Sequence, residues 1–485
     1  MRSAHVCGIE ELCILKLSTS KGEIVENKQP SFSPAGEREN IMGTMDINPL
    51  LIKLSVPMMV SMLVQALYNV VDSLFVSHVS ESALTAVSLA FSLQNVMIAV
   101  GVGTGVGVNA LLSKSLGEKN QERANKTAEN GIFLSLCSYA VFLVIGLTCM
   151  KPYFYAQTSD MDIARQGIQY LQLCCVLSLG LFTQTMGEKL LAATGRTHLS
   201  MISQLVGAVV NIVLDPIFIF GYCGEALSGT TGAALATVIG QFCGAGVSFY
   251  LNLRKNPDIQ LDFKGFRPSA EAIKRIYAVG LPSIIMQSIS SIMTYGMNKI
   301  LIGFSNTAAA VFGVYFKLQS FVFMPVFGLN NGLIPIVAYN YGARKKKRIT
   351  GAIKYAMIYS VSIMIVGTII MQIFPAQLLK LFDASDNMLS IGVTALRIIS
   401  THFFFAGFDI IIISSLQALG RGLSSMLVSF TRQLVVLLPV AYLLSLTGKL
   451  DAIWWAFPIA EIFSIMASLF FLRRAYNAEI KPMAD

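Results

Sequence analysis

Apolar runs of about 20 residues or more, separated by short polar breaks, fill the chain from Asn48 almost to its end. A helix rises about 1.5 Å per residue, so each run is long enough to cross a hydrocarbon layer about 30 Å thick. No water satisfies the main chain there, and a helix is the conformation that closes its own hydrogen bonds within one segment. The spacing predicts twelve spanning helices, over residues 49–77, 83–113, 125–150, 163–192, 198–221, 230–252, 272–303, 308–340, 349–374, 388–417, 422–446 and 452–473. Residues 1–45 break the pattern with mixed charges, Pro and Ser, and Glu10 and Glu11 interrupt a start too weakly apolar for a signal peptide. This stretch reads as a disordered cytoplasmic extension, with Met42 or Met45 a natural beginning for the folded part.

Composition supports the membrane reading. The 485 residues are 54% hydrophobic and 13% charged, with mean hydropathy +0.64, whereas a soluble domain carries about 25% charged residues. The net charge of +9 matters through its distribution. With a cytoplasmic N-terminus, the inside breaks hold Lys114, Lys119, Arg123, Lys126, Lys189, Arg196 and the basic residues of 254–275, 344–348, 421 and 473–474. The outside breaks hold Lys151, Arg165, Lys380 and Lys449. A miscounted helix would spoil this bias, so the chain is expected to be a multi-pass protein of the cell membrane with both termini cytoplasmic. The same bias accounts for the basic residues without a nucleic-acid partner. Of the eight cysteines (7, 13, 137, 149, 174, 175, 223 and 243), most lie in apolar runs and none form a pair with a two-residue gap. They read as small hydrophobes.

The chain repeats itself at an offset of 225 residues. Pro57 matches Pro282, Leu93-Gln94 matches Leu318-Gln319, and Gly103 and Gly107 match Gly328 and Gly332. Gly117 matches Gly342, Gly195-Arg196 matches Gly420-Arg421, and Ser200-Met201 matches Ser425-Met426. Gly and Pro dominate the set, and these residues control backbone shape. Six helices per half make both halves enter the membrane in the same sense, which predicts two lobes related by an axis along the membrane normal, as in rocking transporters. The expected organisation is an extension at 1–45, an N-lobe at 46–252, a cytoplasmic linker at 253–271, a C-lobe at 272–475 and a cytoplasmic tail at 476–485.

No GxxxxGK[ST] loop is present, so an ion gradient is the expected energy source and no cofactor is expected. The Gly101–Gly107 run lies in an apolar helix without GxGxxG spacing, and small residues four apart read as close helix packing. HExxH and GxSxG are also absent, which speaks against an enzyme. Ionisable residues inside apolar runs are the informative ones, since each is expensive unless solvated, neutralised or paired. In the first half Asp72 shares a helix face with Asn69 and Gln65, and Asp215 shares one with Asn211. Pro216 frees a carbonyl near Asp215, and Thr237 and Gln241 lie four apart in the sixth helix. Such an oxygen-rich set suits a proton or a small cation such as Na⁺. At the repeat offset Asp72 maps to Met297, Asn211 to Val436 and Asp215 to Val440, so the scaffold is duplicated and the acids are not. In the second half, Asp409 could pair with Arg397 or Lys317, His402 reads as a packing residue, and Lys299 and Arg432 are expected to snorkel to the interface.

These residues carry a family likeness. Pro57 with Gln65-Ala-Leu-Tyr-Asn-Val-Val-Asp72, Ala86-Val87, Gly107 through Gly117, Gly187-Glu-Lys-Leu-Leu-Ala-Ala-Thr-Gly195-Arg196 and Asn211-Ile-Val-Leu-Asp215-Pro-Ile-Phe make up its first part. Gly232-Ala-Ala-Leu-Ala-Thr237, Pro325-Val-Phe-Gly-Leu-Asn-Asn-Gly332 and Tyr339-Asn-Tyr-Gly-Ala343 continue it. In this order and spacing, over roughly 46–475, the chain resembles the bacterial multidrug and toxic compound extrusion (MATE) transporters. The resemblance implies an all-α integral membrane fold, a V-shaped pair of six-helix lobes, and efflux of drugs or metabolites driven by inward H⁺ or Na⁺. It assigns the first-lobe cation site to Asp72, Asn211, Asp215 and Thr237; the polar positions Gln65, Asn69, Gln241, Gln287 and Asp409 are read from the sequence as additional lining. Members that couple through the second lobe use an acid in helix 7, where this chain offers Gln287 and Ser290. The expected substrate is an amphipathic, cationic small molecule, because Met, Phe and Tyr repack around varied shapes. The expected working unit is a monomer in the bilayer. A lipid-linked oligosaccharide flippase on a related twelve-helix scaffold is the alternative, and would want more cationic lining.

Overall fold

The computed structural model describes residues 40–77, 79–222, 228–264, 266–382 and 384–483, with the side chains at 69, 70, 73, 74, 77 and 81 outside the described set. Cys7, Cys13 and Cys223 and most of the N-terminal extension therefore fall outside it. The described residues form helices and connecting turns, with no strand among them. Twelve spans follow in order: α1 Ile47–Ser77, α2 Glu81–Gly117, α3 Gln121–Thr148, α4 Met161–Val176 with Leu179–Ala193, α5 Thr197–Ile219 and α6 Gly229–Lys255. Then come α7 Ala270–Ile302, α8 Asn306–Gly342, α9 Lys346–Ile373, α10 Asp386–Ser400 with Phe403–Ala418, α11 Gly422–Ser445 and α12 Leu450–Ile480. Ten are single helices long and apolar enough to cross a membrane, and the two bent pairs bring the number to twelve.

The bends are 47° in α4 and 48° in α10. They fall at Leu177-Ser178 and Thr401-His402, which the repeat superposes within a residue. Short helices Met150–Tyr155 and Pro375–Lys380 precede them at matching positions. Neither bend contains Pro or Gly, so neither was visible as a break in the apolar pattern.

Two expected boundaries move. Asn40–Met45 is not a featureless end of the extension: Asn40 caps the helical turn Ile41–Thr44 by accepting from the Met42 amide, and Met42 is fully buried. At the other end, the last span runs on to Ile480, which is also buried, where a tail had been expected from 476. Arg421 holds that extension through Glu479, at 2.6 Å. Its repeat partner Arg196 holds the stretch after α6 through Asp258, at 3.0 Å. Each arginine follows a glycine in the left-handed region, Gly195 at φ 79° and Gly420 at φ 82°, which favours a residue without Cβ.

The duplicated glycines line the contact between lobes. A Cβ on Gly103 would sit 2.5 Å from Ile284 Cγ1 and one on Gly328 would sit 2.4 Å from Met59 Cα; Ile284 and Met59 are themselves repeat partners. Gly107 meets α7 at the Ile276 carbonyl and Gly332 meets α1 at Ser55. Gly117 abuts the Tyr339 carbonyl and Gly342 abuts the Lys114 carbonyl, again a reciprocal pair. Every contact thus has a mate in which the halves exchange roles, as in an interface built around a two-fold axis. The glycines lie in the half of the bundle toward its basic loops, where main chains touch directly. Further along the helices the contact continues through Asn95, whose amide donates to Ser291 at 3.0 Å.

Candidate functional site

The crossing of α5 and α6 builds the candidate first-lobe site. A Cβ on Gly240 would lie 2.7 Å from the Gly207 carbonyl, so the two helices touch through their backbones there. One turn along each helix from that contact stand Asn211 and Thr237, and the close approach brings them together. The Asn211 amide donates to Thr237 Oγ1 and to Asp215 Oδ1, each at 3.3 Å. Asp215 has no exposed surface, Asn211 is 3% exposed and Thr237 9%. Pro216 lies inside α5 and removes the main-chain donor of the Ile212 carbonyl, which adds an acceptor one turn from Asp215.

Asp72 enters from α1. It is half-buried on a helix that packs against α5, which carries Asp215. The donor inventory is short. Asp72 Oδ1, Asp215 Oδ2 and Asn211 Oδ1 are buried without a hydrogen-bond partner, and no lysine or arginine is paired with either acid among the described ion pairs. Buried oxygens are normally satisfied, because each orphan costs about 1–3 kcal/mol. Two carboxylates with no described counter-ion, each with an orphaned oxygen, together with the orphaned Asn211 oxygen fit a proton or a hard cation in donor chemistry.

The other expected lining residues are spread out. Gln65 accepts from the Gln204 amide at 3.0 Å, linking α1 to α5. The side chain of Asn69 lies outside the described residues. Gln241 is half-buried on α6, where the backbone of α4 crosses at Gly180, and Gln287 is half-buried on α7 in the other lobe.

Asp409 belongs to a different cluster. It is fully buried on α10 and accepts from Ser464 at 2.6 Å. Neither expected partner, Arg397 or Lys317, is paired with it among the described ion pairs, and Lys317 lies over the Phe382 ring at 5.8 Å. Ser464 lies three positions from Glu461 on α12, which places Asp409 near the Arg432–Glu461 pair. Arg432 does not snorkel; its side chain is 23% exposed and lies 3.4 Å from Glu461, which is 3% exposed. Arg432 sits in a π-helical stretch, Thr431–Leu437, a departure from α geometry often found at functional sites. His402 packs as expected, stacked with Phe457 and edge-on to Phe403.

Two residues escaped the sequence reading. Glu461 stands alone in the last apolar run, and the rule that selected Asp409 would have found it. Lys189 had been placed in a polar break. In the structure it lies within α4, 7% exposed, with its stem against Gly105 and its ammonium donating across the lobes to Asn331 at 2.8 Å. Glu188 beside it accepts from Gln184 and Ser203.

Known proteins resemble the chain along most of its length. The family model MatE matches residues 57–217 and again 282–443, two stretches that begin 225 residues apart, as the repeat does. The probable multidrug resistance protein NorM of Thermotoga maritima is 27% identical over 435 residues, 88% of this chain and 92% of that protein. The multidrug export protein MepA of Staphylococcus haemolyticus is 24% identical over 425 residues, 87% of this chain and 92% of that protein. Among solved structures, an outward-facing multidrug resistance MATE family transporter of the MOP superfamily aligns with TM-score 0.87 at 25% identity, covering 92% of this chain and all of that one. A MATE in the straight conformation aligns with TM-score 0.86 at 25% identity, covering 92% and 99%.

Proposed function

Because this chain belongs to the MatE family of multidrug and toxic compound extrusion transporters, we propose that it exports amphipathic, cationic small molecules in exchange for H⁺ or Na⁺ bound in the first lobe. It is a transporter of the membrane and not an enzyme. The relatives named for multidrug export support the solute class. The basic end of the bundle is the cytoplasmic one by the positive-inside bias, which puts both termini inside.

One observation carries the coupling role: a buried and a half-buried acid each keep an orphaned oxygen, as does Asn211, with no counter-ion paired to either acid among the described residues. Asp72, Asn211, Asp215 and Thr237 would hold Na⁺, or the two carboxylates would share protons. A pair of ionised acids held away from water is unfavourable, and a bound cation or proton removes that penalty. A ligand shifts an equilibrium only by its different affinity for the two states. Helix α1 transmits the difference, because it carries Asp72 near one end and Ser55 and Met59, which meet the second-lobe glycines, toward the other. Asp72 and Met59 are 13 positions apart, about 20 Å along a helix. Pro57 lies inside α1 next to that contact, where a missing hydrogen bond lets the helix bend.

The test is ethidium efflux from proteoliposomes under an imposed Na⁺ gradient and then under a pH gradient. One gradient should drive efflux by the native chain, and Asp72→Asn should abolish that drive while expression is retained. Gradient-driven efflux at the native rate by Asp72→Asn would rule out the first-lobe site.

A further inference from the structure

The segments leading into the two lobes each cross to the opposite lobe. The linker that leads into α7 is held by α3 of the first lobe. Asn125 accepts from the Gln260 amide at 3.0 Å, Asn130 accepts from the Ser269 amide at 2.9 Å, and Gln121 donates to the Asp258 carbonyl at 2.7 Å. The turn Asn40–Met45 that leads into α1 is held by the α8–α9 corner of the second lobe. Arg348 donates to the Met42 and Met45 carbonyls at 3.0 and 2.6 Å, Lys345 to the Gly43 carbonyl at 2.9 Å, and Asn340 to the Met42 carbonyl at 3.0 Å.

The N-terminal turn is also tied back to the first lobe. The Asn40 amide donates to the Thr194 carbonyl at 3.0 Å and to Asp258 at 3.3 Å, and Asp258 is itself held by Arg196. One short turn therefore bridges three parts of the basic end: the α4–α5 corner, the linker and the α8–α9 corner. Met42 fills the space beside it, with Gly195 leaving room for its side chain.

We propose that Asn40–Met45 is a latch that holds the basic end of the two lobes closed and releases at Asn40 when that end opens. The geometry leaves little slack. Only Ile41 lies between the first-lobe anchor at Asn40 and the second-lobe anchor at Met42, and two residue steps fully extended span at most about 7 Å. Any larger separation of the corners breaks one anchor. The second-lobe side is fastened by a guanidinium, an ammonium and an amide. The first-lobe side is fastened by one amide, through a carbonyl and the Asp258 carboxylate. Hydrogen bonds with an ionised partner are about twice as strong as neutral ones, and the second-lobe side has three of them against one, so Asn40 is the side that lets go. This latch is made of main-chain carbonyls and a linker, apart from the acids of the coupling site.

The first test is amide hydrogen exchange on the full chain in nanodiscs. Asn40→Ala should raise exchange about three- to tenfold in residues 192–196, 256–260 and 340–348, the gain expected for losing the hydrogen bonds of one side chain. This readout needs no ion gradient, so it stands or falls separately from cation coupling. The second test joins Asn40→Cys to Asp258→Cys by a short, reducible thiol cross-linker, with the native cysteines replaced. Cross-linking should stop ethidium efflux, and reduction should restore it. Unchanged exchange in Asn40→Ala, or efflux that continues at full rate while the cross-link is in place, overturns the proposal.

Discussion

The two lobes share one scaffold and bury acids in opposite ways. In the N-lobe, Asp215 meets Asn211, which also donates to Thr237, and one oxygen each of Asp72, Asp215 and Asn211 is left without a donor. In the C-lobe, Glu461 pairs with Arg432, while Asp409 accepts from the Ser464 hydroxyl and keeps one oxygen without a donor. The repeat shows how the difference arises. Gly207, whose carbonyl touches α6, corresponds to Arg432. A glycine lets two helices close on a pair of small polar residues, whereas an arginine fills that crossing and supplies the counter-charge. A buried acid that brings its own cation is set up for structure, and one left without supports the proposed cation-coupling role.

The sharpest way to break this comparison is to neutralise one acid in each lobe. Asp215→Asn should reduce gradient-driven efflux by about a hundredfold, near the top of the range for a coupling free energy. Asp409→Asn should change it by no more than a few-fold. Equal losses in both, measured as initial efflux rates from proteoliposomes, would mean that the C-lobe cluster is also coupled and that the counter-ion argument fails.

Stability should respond in the reverse order. Arg432→Met leaves Asp409 and Glu461 facing each other, and breaking a buried pair from one side costs about 3–5 kcal/mol. The lower end applies, since Arg432 keeps 23% of its side chain exposed. A fall in thermal unfolding temperature in detergent should reveal it, and adding Glu461→Gln should recover part of the loss. Asp215→Asn should leave the temperature unchanged or raise it, because it removes an uncompensated charge. A drop in Asp215→Asn as large as that in Arg432→Met would erase the distinction.

The reading of the sequence divides along the same line between local and non-local information. Span lengths, the offset of 225 and the glycine pairs are local properties, and the interface glycines kept their identity because backbone contact tolerates no Cβ. The faces shared by Asp215 with Asn211 followed from helical spacing alone. That α1, α5 and α6 converge did not; the resemblance supplied it. Arg432 and Glu461 lie 29 positions apart on different helices, so nothing nearby in the chain announces the pair. Lys189 was misplaced because its distance from a polar break says nothing about the neighbour across the lobes. The bends at Leu177-Ser178 and Thr401-His402 come from tertiary packing and leave no Pro or Gly to read.

The interface glycines sharpen the comparison at intermediate magnitude. Gly342→Ala would force a Cβ to within 2.2 Å of the Lys114 carbonyl. Overpacking of this kind costs about 1–3 kcal/mol, and here it penalises only the state in which the basic ends touch. Its repeat mate Gly117→Ala should have the same effect, since that Cβ would meet the Tyr339 carbonyl in the reciprocal contact. Both should slow efflux, and should raise hydrogen exchange in residues 114–118 and 339–343 by similar factors. An effect from one glycine and none from the other would show that the two-fold relation does not extend to the energetics.

The smallest effect tests the N-lobe site from within. Thr237 has Ile462 as its repeat counterpart, so Thr237→Val moves this position toward the C-lobe pattern with little change in volume. The substitution deletes the hydroxyl that accepts from Asn211 Nδ2 and leaves Asp215 Oδ1 as that amide's remaining partner. One neutral hydrogen bond contributes about 1 kcal/mol, so the concentration of coupling cation that half-saturates efflux should rise about fivefold. The maximal rate should hold, because both carboxylates remain. A fall in maximal rate with the half-saturating concentration unchanged would assign Thr237 to the conformational step, and the argument that its oxygen belongs with the acids would have to be abandoned.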